Sequence, residues 1–138
     1  MINSIRYKQT KIIDLPPLMN LYTDANWTNY TKNPQTLLNA ISNSTYVLSV
    51  WNNDELIGLI RAVSDRYTIL YIQDIIVLNK WKRHGIGSTL VKKTIKKFNN
   101  VRQIVLLTDD TPMTRKFYKS LNFESCDRKK LVSFIYKT

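Results

Sequence analysis

The segment Lys82-Arg83-His84-Gly85-Ile86-Gly87-Ser88 holds two of the chain's three glycines, two residues apart, in a basic setting. It follows an apolar run, Tyr71 to Leu78, and precedes an amphipathic stretch, Ser88 to Phe98. A strand, a short glycine loop and a helix present free backbone N–H groups to an anion. The first N–H groups of a helix have no internal partner, and the helix dipole adds partial positive charge there. Glycine carries no Cβ to keep a phosphate at a distance. The spacing predicts a phosphorylated ligand held at residues 82–88. By itself a Gly-x-Gly pair is a common turn, so its weight comes from the flanking strand and helix. Asp74 interrupts the apolar run beside the loop, where it can either attract a cation or serve as an ion-pair partner.

The elements that must position these residues can be read in order. Ser4 to Thr10 suits a first strand. Asp14-Leu15-Pro16-Pro17 opens a helix, because Asp14 can cap and prolines are tolerated in the first turn. Asn33 and Pro34 open a second helix in the same way. Thr45 to Trp51 and Glu55 to Ser64 read as a hairpin around the Asn52-Asn53-Asp54 turn signal. Tyr67 to Leu78 is the longest strand. Ser88 to Phe98 is a helix that turns Leu90, Val91, Ile95 and Phe98 inward and its lysines outward. Gln103 to Leu107 is a short strand, Pro112 to Leu121 a helix and Val132 to Tyr136 a last strand. The order predicts an α/β (α+β) fold with a mixed, mostly antiparallel sheet flanked by helices. The helical crossover at the glycine loop supplies a parallel pair.

A chain of 138 residues with 43% apolar content suits one compact domain spanning residues 1–138. No apolar run reaches the length of a membrane span. The segment from Met1 to Arg6 lacks the apolar run of a secretory signal. The single cysteine, Cys126, makes no internal disulfide, so a cytoplasmic location is expected. One histidine and one cysteine do not suffice for a His/Cys metal cluster. The net charge of +11 favours anionic partners: nucleic acid, a membrane surface or a phosphorylated cofactor.

Lys82-Arg83-His84-Gly85-Ile86-Gly87 resembles the Arg/Gln-x-x-Gly-x-Gly/Ala acyl-CoA signature of the GNAT superfamily of N-acetyltransferases. Phe117-Tyr118-Lys119-Ser120-Leu121-Asn122-Phe123 resembles that family's Phe-Tyr-x-x-x-Gly-Phe segment. Glu55 to Arg61 is similar to the family's third strand, and Asp74 to Val77 to its fourth. Arg61-Ala62-Val63-Ser64-Asp65 and Gln73-Asp74-Ile75 look most like small bacterial relatives of plant-type arylalkylamine acetyltransferases. There are departures. Lys82 stands where Arg or Gln is usual, Asn122 where glycine is common, and Thr111 where Asn often precedes the helix. Lysine keeps a donor but loses planar geometry, Asn tolerates the left-handed conformation, and Thr can still cap.

The resemblance implies acetyl transfer from acetyl-CoA to a primary amine of a small molecule or peptide. It implies that the pantetheine runs beside Ile76, Val77 and Leu78, with the pyrophosphate on Arg83 to Ser88 and Phe117 near the cofactor. It makes Tyr118 the general acid for the departing thiolate. The base is open among Asp74, Asp109 and Asp110. Tyr22, Trp27 and Tyr30 lie where the family builds its acceptor pocket, and an aromatic wall suits an apolar or aromatic amine. His84 reads as a solvated loop residue. A homodimer stays open, and no membrane partner is expected. Two other functions compete. One is a basic nucleic-acid-binding module using Lys92, Lys93, Lys96 and Lys97, which offers few side chains able to read bases. The other is a regulator that binds CoA without turnover.

Overall fold

The computed structural model describes residues 4–138, so Met1 to Asn3 of the N-terminal segment lie outside the described residues. The chain forms two compact units, one ending at Leu107 and one running from Thr108 to Thr138. The first unit is built on a five-stranded sheet in the order β1-β2-β3-β4-β5. The strands are β1 (Ile5–Gln9), β2 (Tyr46–Asn52), β3 (Glu55–Ser64), β4 (Ile69–Val77) and β5 (Gln103–Leu106). Neighbours pair antiparallel except β4 and β5, which are parallel. Its helices are α1 (Leu15–Asp24), α2 (Thr28–Thr31), α3 (Pro34–Asn43) and α4 (Ile86–Lys97). The α/β fold expected from the sequence is therefore found, with α4 as the crossover that makes a parallel pair accessible.

The hairpin forms where expected. Asn53 takes a left-handed φ of 53° in the turn, a conformation Asn adopts more readily than most residues. The β3–β4 turn is organised by Asp65. Its carboxylate accepts from the Thr68 hydroxyl and from the N–H groups of Tyr67, Thr68 and Ile69. These bonds, led by the Thr68 side chain, hold the carboxyl well below the usual range.

The two sheet faces are covered by different helices. A Cβ on Gly58 would stand 3.3 Å from Ile86 Cγ2 and 3.6 Å from Leu90 Cδ1, so that face of β3 packs on α4. Arg61, three residues on, points to the opposite face by strand alternation. There it meets Tyr30 of α2 and Ser44 just after α3. Leu18, Leu21 and Tyr22 of α1, Leu37 and Ile41 of α3, Leu59 and Ile60 of β3 and Leu90 and Val91 of α4 are completely buried. Burying each such aliphatic side chain stabilises the fold by roughly 1.5–3 kcal/mol.

Several local expectations change. The short helix α2 was not anticipated from the sequence. Asp14 and Asn33 occupy the N-cap positions of α1 and α3, but neither side chain caps. Helix α4 begins at Ile86 rather than Ser88, with Gly85 as its N-cap. Gly87 thus belongs to the first turn of the helix, not to the loop.

The second unit carries α5 (Pro112–Ser120). Thr111 and Thr114 form a reciprocal capping box at its start. At its end Asn122 takes a φ of 70°, Asn122 N–H donates to Lys119 O and Phe123 N–H to Tyr118 O. This is a Schellman termination with Asn in place of glycine. The last strand expected at Val132 to Tyr136 is absent, and Phe134 is 94% exposed. β-branched and aromatic residues favour strands only where a neighbouring strand supplies ladder bonds, and no described strand does so here. No helix among the described residues is long and apolar enough to cross a membrane.

Candidate active site

The glycine loop is held from below. The N–H of Asn79 donates to Asp24 Oδ2 at 2.7 Å, and its side-chain amide donates to Asp24 O at 3.0 Å. These bonds tie the single 3-10 turn Asn79–Trp81 to the end of α1. Arg83 and Gly85 then adopt left-handed φ values of 68° and 77°. For arginine this costs on the order of 1–2 kcal/mol, strain of the kind found at ligand clamps. Gly85 O accepts the first helical bond, from Thr89 N–H at 3.0 Å. Among the described residues, no hydrogen bond uses the N–H groups of Arg83, His84, Gly85, Ile86, Gly87 or Ser88. His84 Nδ1 lies 3.1 Å from Trp81 O and 2.9 Å from Lys82 O. Both partners are carbonyls, so Nδ1 carries the proton and donates. Lys82, Arg83 and His84 are all exposed. The loop presents consecutive backbone donors ringed by basic side chains, an arrangement chemically suited to an anion.

Strand β4 leads into this loop with an open rim. It pairs with β5 only from Ile69 to Ile72. Leu78 N–H donates to Ile57 O at 2.8 Å, so Leu78 faces β3. By the two-residue alternation of a strand, the N–H groups of Ile75 and Val77 point away from β3, to the side β5 has left. A β-bulge lies just before this rim. Arg61 stands opposite Asp74, and Ala62 opposite Ile72, so Gln73 is the extra residue.

Asp74 is only 3% exposed and lies at the centre of a polar cluster. Arg61 Nε donates to its Oδ2 at 2.5 Å, Tyr22 to the same oxygen at 3.0 Å, and Tyr30 to Oδ1 at 2.8 Å. Burial, followed by the charge of Asp74, pushes the Tyr22 phenol well above its usual range and raises that of Tyr30. Burial works against the charge on Arg61, but the adjacent carboxylate keeps its guanidinium more basic than usual. The rings of Tyr22 and Tyr30 meet edge-on with centroids 5.2 Å apart, and Trp27 lies 5.7 Å from Tyr22 and 6.0 Å from Tyr30. The predicted aromatic residues thus form one cluster around the predicted carboxylate. Tyr22 is wholly buried within it, while Trp27 and Tyr30 are partly exposed.

In the second unit Tyr118 is half-buried on α5. Phe117 and Phe123 pack edge-on against it at centroid distances of 4.9 and 5.6 Å. Burial pushes its phenol up to about 12, so the hydroxyl stays protonated at neutral pH. Asp110 is paired with Arg115 at 2.6 Å. The carboxylate of Asp109 has no hydrogen-bond partner among the described residues.

A family model described as an acetyltransferase (GNAT) domain matches residues 4–136. The chain belongs to the GNAT acetyltransferases. Membership makes this enzyme an acetyl-CoA-dependent N-acetyltransferase. The GNAT domain superposes on a GNAT-family acetyltransferase from Streptococcus pneumoniae with a TM-score of 0.87 and 32% identity, covering 97% of this chain and 98% of the other. An aminoglycoside acetyltransferase from an uncultured soil metagenomic sample, solved with sisomicin, gives a TM-score of 0.73 at 20% identity, covering 99% and 98%. An aminoglycoside N-acetyltransferase in complex with CoA gives 0.74 at 13% identity, covering 97% and 94%. At such identities the last two share the fold with this GNAT domain. Comparison with curated proteins gives no match.

Two parts of the acetyltransferase's site escaped sequence reasoning. Arg61 is the buried partner of Asp74, and its signal was available: each is the lone charge within an apolar strand run. The bulge at Gln73 left no such mark, because only strand pairing defines it.

Proposed function

We infer that this acetyltransferase acts on a primary amine of a small molecule or peptide by direct attack, within a single domain spanning residues 1–138. The observation that carries this reading is the continuous row of free N–H groups from Arg83 to Ser88 beside the open rim of β4. The donors fit a pyrophosphate: they are consecutive, a left-handed glycine leaves the approach open, and Lys82, Arg83 and the Ser88 hydroxyl add polar contacts. The resemblance also assigns Phe117 to cofactor binding. Bound there, acetyl-CoA supplies an activated acyl group and a thiolate leaving group. The rim from Ile75 through Ile76 and Val77 to Leu78 offers backbone groups that would hold the pantetheine, and the outward N–H of Val77 would stabilise charge developing on the acyl oxygen. The amine nitrogen forms the new N–C bond as the C–S bond breaks. Tyr118 gives its phenolic proton to the sulfur, and the amine loses its own proton to water or to a carboxylate such as Asp109. Trp27 and Tyr30, backed by the buried Tyr22, wall the acceptor site.

Substitution at Gly85 tests the loop. Asp and Asn have similar size and both tolerate a left-handed φ, so they differ mainly in charge. Calorimetry should find acetyl-CoA binding retained but weakened in Gly85→Asn and abolished in Gly85→Asp, with both proteins folded. Equal affinities in the two variants would place the pyrophosphate elsewhere. A thiol-release assay across arylalkylamines, polyamines, aminoglycosides, amino acids and peptide N-termini then identifies the acceptor. Binding without release from any amine would favour the regulatory reading.

A further inference from the structure

We propose that Arg61 and Asp74 are a positioning pair that pins the β4 bulge and Tyr30, and that Tyr30, not the Asp74 carboxylate, meets the acceptor amine. This rests on the acetyl-transfer reading of the site. The pair stands directly cross-strand at the last register step before the bulge. Its side chains are 10% and 3% exposed, so water neither screens nor replaces the contact. Register here has a chemical consequence. If β4 slipped by one residue, the N–H groups of Ile75 and Val77 would turn toward β3 and the open rim would present different donors. A desolvated, hydrogen-bonded ion pair resists such a slip, because either partner alone would be a buried, uncompensated charge.

The same pair holds Tyr30. Helix α2 is four residues long and buries no side chain completely. The Tyr30 hydroxyl ties it to the sheet, donating to Asp74 and accepting from Arg61 Nη2 at 3.1 Å and Gln73 Nε2 at 3.4 Å. The guanidinium also lies 5.7 Å from the centre of its ring. Asp74 is enclosed by Arg61, Tyr22 and Tyr30, the titratable groups that face it, and its bonds to them occupy both carboxylate oxygens. At 3% exposure it offers an incoming amine no open approach. Of the groups bonded to Asp74, Tyr30 is the partly exposed one and therefore the one placed to touch a ligand.

Three variants test this: Asp74→Asn, Arg61→Met and Tyr30→Phe. Calorimetry with acetyl-CoA reads the pin. Asp74→Asn and Arg61→Met should each weaken binding about tenfold, while Tyr30→Phe leaves it unchanged. Steady-state kinetics with the best amine from the acceptor panel reads the second half. Tyr30→Phe should raise the acceptor KM several-fold, and Asp74→Asn should lower kcat without moving the acidic limb of the pH profile. Loss of that limb in Asp74→Asn would make Asp74 the base and overturn the proposal. Native acetyl-CoA affinity in both Asp74→Asn and Arg61→Met would overturn the pin, and a native acceptor KM in Tyr30→Phe would overturn the contact. If the two charge variants do not fold, the charge-free pair Arg61→Met/Asp74→Leu takes their place, and it too should bind acetyl-CoA more weakly. The Gly85 variants separate these failures from failure of the acetyl-transfer reading itself, because they report on the loop alone.

Discussion

The surroundings of Tyr118 bear directly on its proposed role as general acid. Packed between Phe117 and Phe123, the phenol loses hydration, and its ionised form is disfavoured. The neutral form, the one that can donate, is therefore the stable form until pH rises through about 12. Two outcomes follow. Tyr118→Phe should lower kcat by about 10²–10⁴-fold, the usual contribution of a general acid, with acetyl-CoA affinity preserved. The pH profile of the native enzyme should show no alkaline limb from this group below about pH 10, since it remains protonated there. An unchanged rate in the variant, or an alkaline limb below that pH which disappears with it, would contradict the assignment. The resemblance of Phe117 to Phe123 was legible from residue types, and so was the left-handed tolerance of Asn122 that ends the helix. The burial that raises the phenol was not, because it depends on which rings close over it.

At the scale of elements, the site depends on how closely α4 approaches the sheet. Gly58 makes that approach possible: a Cβ there would stand 3.3 Å from both Ile76 O and Ile86 Cγ2. Ile86 is the first residue of α4, so displacing it moves the end of the helix that presents the free N–H groups. Gly58→Val should destabilise the protein by about 1–3 kcal/mol through overpacking. It should also weaken acetyl-CoA binding, and thermal denaturation with calorimetry would measure both. A variant of native Tm and native affinity would show that the helix can shift freely. The hairpin and the span of β3 were readable because turn residues and β-branched runs are local signals. The start of α4 was misplaced by two residues, since a left-handed N-cap is a property of the backbone and glycine only permits it.

Across the whole molecule, the charge of +11 acts at a distance. A surplus of this size attracts an anionic cofactor before contact, and salt screens that attraction over about 10 Å at 0.1 M ionic strength. The association rate of acetyl-CoA should therefore fall as salt rises, while its dissociation rate changes less. Stopped-flow measurement from low to high ionic strength would check this, and a salt-independent association rate would count against steering. The lysines on α4 contribute to this field as an exposed face, and Lys93 lies 5.2 Å from the centre of the Tyr7 ring.

By itself the sequence determined the class of fold, the strand–loop–helix that presents backbone donors, and the residue types gathered for acyl transfer. The first two follow from periodicity, turn chemistry and glycine placement, which act over a few neighbouring residues; the third rests on the resemblance of Lys82 to Gly87 and Phe117 to Phe123 to GNAT motifs. Tertiary structure alone decided that Asp74 is locked to Arg61, that Gln73 bulges, and that β5 leaves β4 after Ile72. It also decided that residues Val132 to Tyr136 find no strand to join. Each of those outcomes depends on a partner distant in sequence, and the identity of that partner is fixed only when strands choose their register and helices close over the sheet.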